Sequence, residues 1–174
     1  MRIAWGRKVS KGFLKTVVRI CRNLGIDPSF LMSCIAFETA ETFSSSIKNA
    51  AGSGAVGLIQ FMPSTAAALG TTTEILASME PEDQLLGVFF YFERWAQRLK
   101  TLEDVYMVIL WPGAVGTPDD YVLFDRADPE HPIRYIQNAG LDFNRDGKIT
   151  KHEAAERVRR KLEKGLRPEF ALEL

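Results

Sequence analysis

A chain of 174 residues, 46% of them apolar and 10% aromatic, is long enough for one substantial core with at most a small appendage. Its 22 basic and 22 acidic residues cancel, so no overall field draws it toward nucleic acid. No apolar run reaches the ~18 residues of a membrane span, Lys15 and Arg19 break the stretch that would otherwise resemble a secretory signal, and two cysteines are too few for a disulfide framework.

Read in chain order, the sequence is helix after helix. Ser10 caps a segment through Leu24 with Phe13, Val17, Ile20, Cys21 and Leu24 on one face, and Gly25 stops it. Asp27-Pro28, a cap followed by a first-turn proline, opens the apolar helix "PSFLMSCIAFETA". Pro63 starts a short helix closed by Gly70, and "TTEILASM" is another. "PEDQLLGVFFYFERWAQRL" from Pro81 is expected to be the longest and the most central, because "LLGVFFYF" is apolar nearly all round. Thr101 caps "LEDVYMVILW", which ends at Pro112-Gly113; "PDDYVLFDR" and "PIRYIQNAG" are shorter pieces. No long alternating run marks a strand, so the expected class is all-α. Cys21 and Cys34 both fall in amphipathic helices and read as buried free thiols.

Charge is unevenly spread. Residues 1–26 carry Arg2, Arg7, Lys8, Lys11, Lys15, Arg19 and Arg22 and no acid, residues 27–150 hold 8 bases against 17 acids, and residues 151–167 hold 7 bases against 3 acids. Solvated helix faces account for such runs in most proteins; attraction to an anionic polymer or membrane surface is the other account.

The chemistry concentrates in "CIAFETAETFSSSIKNAAGSGAVGLIQFMPSTA", residues 34–66. Glu38 ends an apolar helix, where apolar neighbours and the negative pole of the helix both disfavour its ionised form. A carboxyl that keeps its proton near neutral pH can donate it to a glycosidic oxygen. The small residues from Ser44 to Gly54 suit a groove that lets backbone groups approach sugar hydroxyls, and Gln60 offers both a donor and an acceptor. Glu41 precedes the same loop and is the secondary carboxylate candidate.

The block "SGAVGLIQFMPSTA" (53–66), with Glu38-Thr39 upstream, resembles the signature of soluble-lytic-transglycosylase-type enzymes of the lysozyme superfamily, closest to its phage-associated branch. The resemblance spans residues 27 to about 116. It implies a lysozyme-like fold and cleavage of the β-1,4 bond between N-acetylmuramic acid and N-acetylglucosamine in peptidoglycan. Glu38 would be the single acid/base, and Gly57, Leu58, Ile59, Gln60 and Met62 would line the substrate groove. Two departures concern sugar binding. Ala51 stands where the family has a serine, with Ser53 as candidate substitute, and "ILWPGAVG" replaces a tyrosine-bearing motif, so Trp111 would stack on a sugar. A 1,6-anhydro product of a lytic transglycosylase is expected, with hydrolysis by a muramidase as the alternative.

"DFNRDGKITKHE" (142–153) resembles a single EF-hand loop. Asp142, Asn144 and Asp146 supply oxygens at positions one, three and five, Lys148 its carbonyl, and Glu153 the closing carboxylate, with Gly147 at the sharp turn. The alternative reading is a degenerate loop in which Thr150 and Glu153 form a helix capping box. A structural calcium ion is expected here, pinning a single basic helix from Thr150 to Gly165. His131 and His152 show no zinc spacing.

These readings divide the chain into a catalytic domain, 1–128, and an EF-hand-like helical appendage, 129–174. The expected protein acts on bacterial peptidoglycan strands as a phage endolysin or virion-associated lysin, made without a secretory signal, and is a monomer unless built into a virion. Its rivals are a non-catalytic wall-binding or tail-structural module and a calcium-dependent interaction protein.

Overall fold

The computed structural model describes residues 1–50 and 52–174; Ala51, where the resemblance expects a serine, lies outside the described residues. The chain is mainly helical. Nine α-helices are present among the described residues: α1 (Lys11–Leu24), α2 (Pro28–Glu38), α3 (Pro63–Ala68), α4 (Thr73–Ser78), α5 (Pro81–Phe92), α6 (Leu102–Leu110), α7 (Pro132–Asn138), α8 (Lys151–Ala154) and α9 (Glu156–Gly165). Two antiparallel strand pairs join distant segments. β1 (Arg2–Ile3) pairs with β4 (Leu172–Glu173), and β2 (Val122–Asp125) with β3 (Lys148–Thr150). No helix among the described residues is long and apolar enough to cross a membrane.

Local chemistry sets the helix ends. Ser10 Oγ accepts from Phe13 N at 3.0 Å, and Gly25 takes φ 70° to close α1. Asp27 Oδ1 accepts from Ser29 N at 2.7 Å, with Pro28 in the first turn of α2. Thr101 and Asp104 form a complete capping box on α6.

The central helix is α2, not the segment from Pro81. Leu31, Met32, Cys34, Ile35 and Ala36 are fully buried, and α1, α6 and α9 pack around them. The segment from Pro81 is α-helical only to Phe92 and then tightens into a 3-10 helix over Glu93–Arg98, so α1 is longer. It buries Gln84, Leu85, Val88 and Phe92 against the core, whereas Leu86 (58% exposed) and Phe90 (49%) face outward. Apolarity all round this segment reflects composition and not burial on every side. "VLFD" forms β2, because Phe124 pairs with Ile149 across the sheet and both side chains are buried.

The segment 129–174 is not peripheral to the core. Tyr135, Ile149, Ala154, Ala155 and Val158 belong to the same buried cluster as α2, and α9 lies along α2. Trp5 Nε1 donates to the Lys161 carbonyl at 3.0 Å, and a Cβ at Gly165 would sit 2.3 Å from that indole nitrogen, so only glycine fits. The basic helix is also not continuous. It breaks at Ala155, and Arg159 Nη2 donates to the His152 carbonyl that the break releases, at 2.8 Å. Cys21 and Cys34 are buried, unpaired thiols.

Candidate active site

Glu38 is the last residue of α2, carried there by the buried run from Leu31 to Ala36. No hydrogen bond or ion pair reaches its carboxyl among the described residues, and part of the side chain stays in contact with solvent. Burial pushes its pKa up from 4.5 to about 7. The Phe37 ring meets Tyr106 edge-on at 5.7 Å, and the Tyr106 phenol is itself pushed up by burial and then by the charge of Glu38. Burial also holds the Cys34 thiol well above its ordinary range, with Glu38 adding to the effect.

The chain leaves α2 through a strained turn. Ala40, Glu41 and Phe43 all have positive φ, at 48°, 68° and 55°, in a conformation that costs non-glycine residues on the order of 1 kcal/mol each. Three contacts hold it. Glu41 N donates to the Ala36 carbonyl at 2.7 Å, Thr39 Oγ1 accepts from Phe43 N at 3.0 Å, and the Phe43 ring packs against Trp5 and Phe13. The Glu41 carboxylate turns to α9, 2.5 Å from Lys161 Nζ and 2.7 Å from Lys164 Nζ. Desolvation opposes its ionisation, but the two lysine hydrogen bonds outweigh it and hold its pKa below the usual range. Glu38 and Glu41 therefore have opposite environments three residues apart.

Beyond the turn, residues 44–50 and 52–62 fold back on one another. Val56 bridges both Lys48 and Phe61, and Gly57 N donates to the Ile47 carbonyl at 2.8 Å. The organiser is Gln84, a fully buried side chain on α5. Its Oε1 accepts from Leu58 N at 2.7 Å, and its Nε2 donates to the carbonyls of Ser45 (3.0 Å) and Leu76 (2.8 Å). Gly57, at φ 82°, leaves room for that amide, since a Cβ there would lie 2.3 Å from Gln84 Oε1.

Within this loop the expected groove residues divide. Leu58 and Ile59 are core residues, 0% and 2% exposed, so they offer a ligand only their backbone. Met62 is 44% exposed. Gln60, at φ 53°, spends its Nε2 on the carbonyls of Gly57 (3.1 Å) and Ile47 (3.3 Å), and its Oε1 carries no hydrogen bond among the described residues. Ser53 is exposed, and its Oγ accepts from Ala55 N at 3.3 Å. A cavity of about 560 Å³ opens between this loop and α4, lined by Lys48, Gly52, Gly54, Thr73 and Glu74 among others. Trp111, at the end of α6, sits elsewhere. Its ring meets Phe124 edge-on at 5.2 Å, with the Arg134 guanidinium 5.2 Å from its centroid, and no ring contact or hydrogen bond joins it to the loop among the described residues.

The loop at 142–153 has a distinctive polar pattern. Asp142 Oδ2 accepts from the Tyr135 hydroxyl at 2.6 Å and from Gly147 N at 3.0 Å, while its Oδ1 is buried with no hydrogen-bond partner among the described residues. Glu153 Oε2 accepts from Thr150 N and Oγ1, completing a capping box, and its Oε1 is likewise buried and unpartnered. Asn144 and Asp146 turn on the loop backbone, accepting from Asp146 N (2.9 Å) and Lys148 N (2.8 Å). No group of three His, Cys, Asp or Glu side chains at metal-ligating spacing is present among the described residues.

Sequence reasoning missed Gln84, Tyr106 and the buried pair Lys151–Asp104. Gln84 carried a signal, since positions 84, 88 and 92 share one buried helix face and only a partnered amide belongs there. Nothing distinguished Tyr106 from the rest of the apolar α6. No protein-family model matches the chain, and no curated protein is significantly similar to it.

Proposed function

We propose that this chain is a lysozyme-like peptidoglycan-cleaving enzyme of the lytic transglycosylase type, of phage-lysin character, with Glu38 as its single acid/base. The observation that carries the reading is the state of that carboxyl. It ends a buried helix, has no hydrogen bond or ion pair among the described residues, and has a pKa near 7, immediately before a glycine- and serine-rich loop. A group in that state is about half protonated at neutral pH, so it can give a proton and take one back with little driving force lost.

In this scheme Glu38 first protonates the oxygen that leaves as the glycosidic bond breaks. The resulting carboxylate then takes the proton of the muramic C6 hydroxyl, whose oxygen bonds to C1 and closes a 1,6-anhydro ring. Water in place of that hydroxyl gives hydrolysis. The two-carboxylate routes need a second free carboxylate about 5–10 Å away. Glu41 is bound to two lysines, and Glu103 accepts from Arg159 at 2.8 Å. Their engagement favours the one-acid route, and it favours Glu38 over Glu41 as the acid. Gln60 Oε1, Met62, Ser53 and the backbone of Gly57–Ile59 supply the sugar contacts in this reading; Trp111, clamped between Phe124 and Arg134, would serve a more distant sugar.

The 142–153 loop fits a calcium ion on one count, the two buried oxygens left without partners at its first and last positions. Asp142, Asn144, Asp146, the Lys148 carbonyl and Glu153 would hold the ion. Those residues would spend their charge on the ion, which would hold the loop together and take no part in the proton transfers assigned to Glu38.

Digestion of purified cell walls, with mass spectrometry of the products, tests the assignment. Wild type is expected to release fragments ending in 1,6-anhydro-muramic acid. Glu38→Gln should lose at least about a hundred-fold in rate, in line with removal of a general acid, and Glu41→Gln should stay within a few-fold of wild type. Equal clearing by wild type and Glu38→Gln removes Glu38 from the mechanism, and reducing ends without the anhydro ring convert the assignment to a hydrolase.

A further inference from the structure

The acid-free N-terminal segment gathers its charge on one stripe. Lys11, Lys15, Arg19 and Arg22 recur at i, i+4, i+8 and i+11 along α1, spanning about 16 Å of helix, and all four are exposed. None has an ion-pair partner among the described residues; the nearby Glu82 is engaged by Ser10. Like charges four residues apart oppose one another along a helix, so a face that served only to be wetted would gain from interleaved acids.

The stripe also borders a groove. A cavity of about 990 Å³ lies between α1 and the C-terminal strand, and these four cations line it together with the apolar Leu14, Val18, Leu172 and Leu174. Leu174 is 61% exposed, and the adjoining Met1 is 58% exposed. Cations beside an apolar lining match an amphiphile with an anionic head. A soluble phosphate polymer would satisfy the cations and leave the apolar lining bare.

We infer that this face is a second binding surface, for the headgroup layer of an anionic phospholipid bilayer, with phosphates on Lys11, Lys15, Arg19 and Arg22 and the acyl boundary at Leu172 and Leu174. The surface involves none of the residues assigned to glycan cleavage and stands independently of that reading. Each basic residue near an anionic membrane changes partitioning by about five-fold.

Co-flotation of the full chain with vesicles tests it. Binding is expected to vesicles of equal phosphatidylglycerol and phosphatidylcholine, not to phosphatidylcholine alone, and it should fade in 0.5 M salt. The double variant Lys15→Glu/Arg19→Glu should bind at least about 25-fold more weakly, and Leu174→Ser several-fold more weakly. Lys11→Gln/Arg22→Gln is a milder second pair, expected to lose about 25-fold, with far-UV circular dichroism verifying the fold of each. Unchanged binding by either folded pair overturns the proposal. So does an unchanged Leu174→Ser, or capture by inorganic polyphosphate without capture by vesicles.

Discussion

Glu38 and Glu41 show how far environment outweighs residue type. One is set among apolar groups and raised to about 7, and the other is drawn down by two lysines. The raised value makes a definite claim about stability. Between pH 4.5 and about 7 the folded protein holds the Glu38 proton while the unfolded chain releases it, so stability falls as pH rises through that window. Below it both states are protonated and the effect vanishes. At 1.36 kcal/mol per pKa unit, and with a discount for the solvent the side chain retains, the penalty at pH 8 is about 2 kcal/mol. Calorimetry should therefore find Glu38→Gln melting about 4–8 °C above wild type at pH 8 and level with it at pH 4. Equal melting at pH 8 would mean the carboxyl is solvated after all. Under the proposed function, the rate of wall digestion should decline above pH 7 as the acid form of Glu38 is lost.

At the scale of elements, the loop after α2 is shaped by an amide on α5. Gly57 and Gln84 act as a pair, the glycine leaving space that the amide fills with three hydrogen bonds. Gly57→Ala combines an unfavourable left-handed φ with a collision against buried atoms and should cost about 3 kcal/mol in chemical denaturation. In a Gln84→Ala background the collision is gone, so the same substitution should cost only the backbone part, about 1 kcal/mol. An additive double-mutant cycle would refute the coupling. Part of this was legible beforehand. The capped starts of α1, α2 and α6 followed from Ser10, Asp27 and Thr101 because capping is local. The end of α5 at Phe92 was not, since nothing between Phe92 and Glu93 forbids another α-helical turn.

Across the whole molecule, residues 129–174 share one buried core with the helices that precede them. Lys151, 1% exposed, donates to Asp104 Oδ1 at 2.6 Å and to the Thr117 carbonyl at 2.7 Å, joining the start of α8 to the start of α6. Burial opposes ionisation of Asp104, but the Lys151 hydrogen bond, with those from Gly116 and Lys100, lowers its pKa. Lys151→Met strands that carboxylate and should destabilise the protein by about 3 kcal/mol. Calcium at a hundred times its dissociation constant should add about 2.7 kcal/mol, or about 5–10 °C in Tm, reversed by EGTA. The shift should disappear in Asp142→Ala. A melting curve indifferent to EGTA in the wild type would leave the loop as a capped turn without a metal.

What the sequence alone determined was short-range: the helical class, the capped helix starts, the buried thiols, and Glu38 at the end of an apolar run. Each depends on neighbours within a turn or two. The tertiary structure decided which helix is central, whether residues 129–174 stand apart, and what surrounds each carboxylate. Those outcomes rest on contacts between residues dozens to more than a hundred positions apart, such as Glu41 with Lys161 and Lys164, Gln84 with Leu58, and Lys151 with Asp104. No spacing rule within the chain encodes them, because they depend on how whole faces pack.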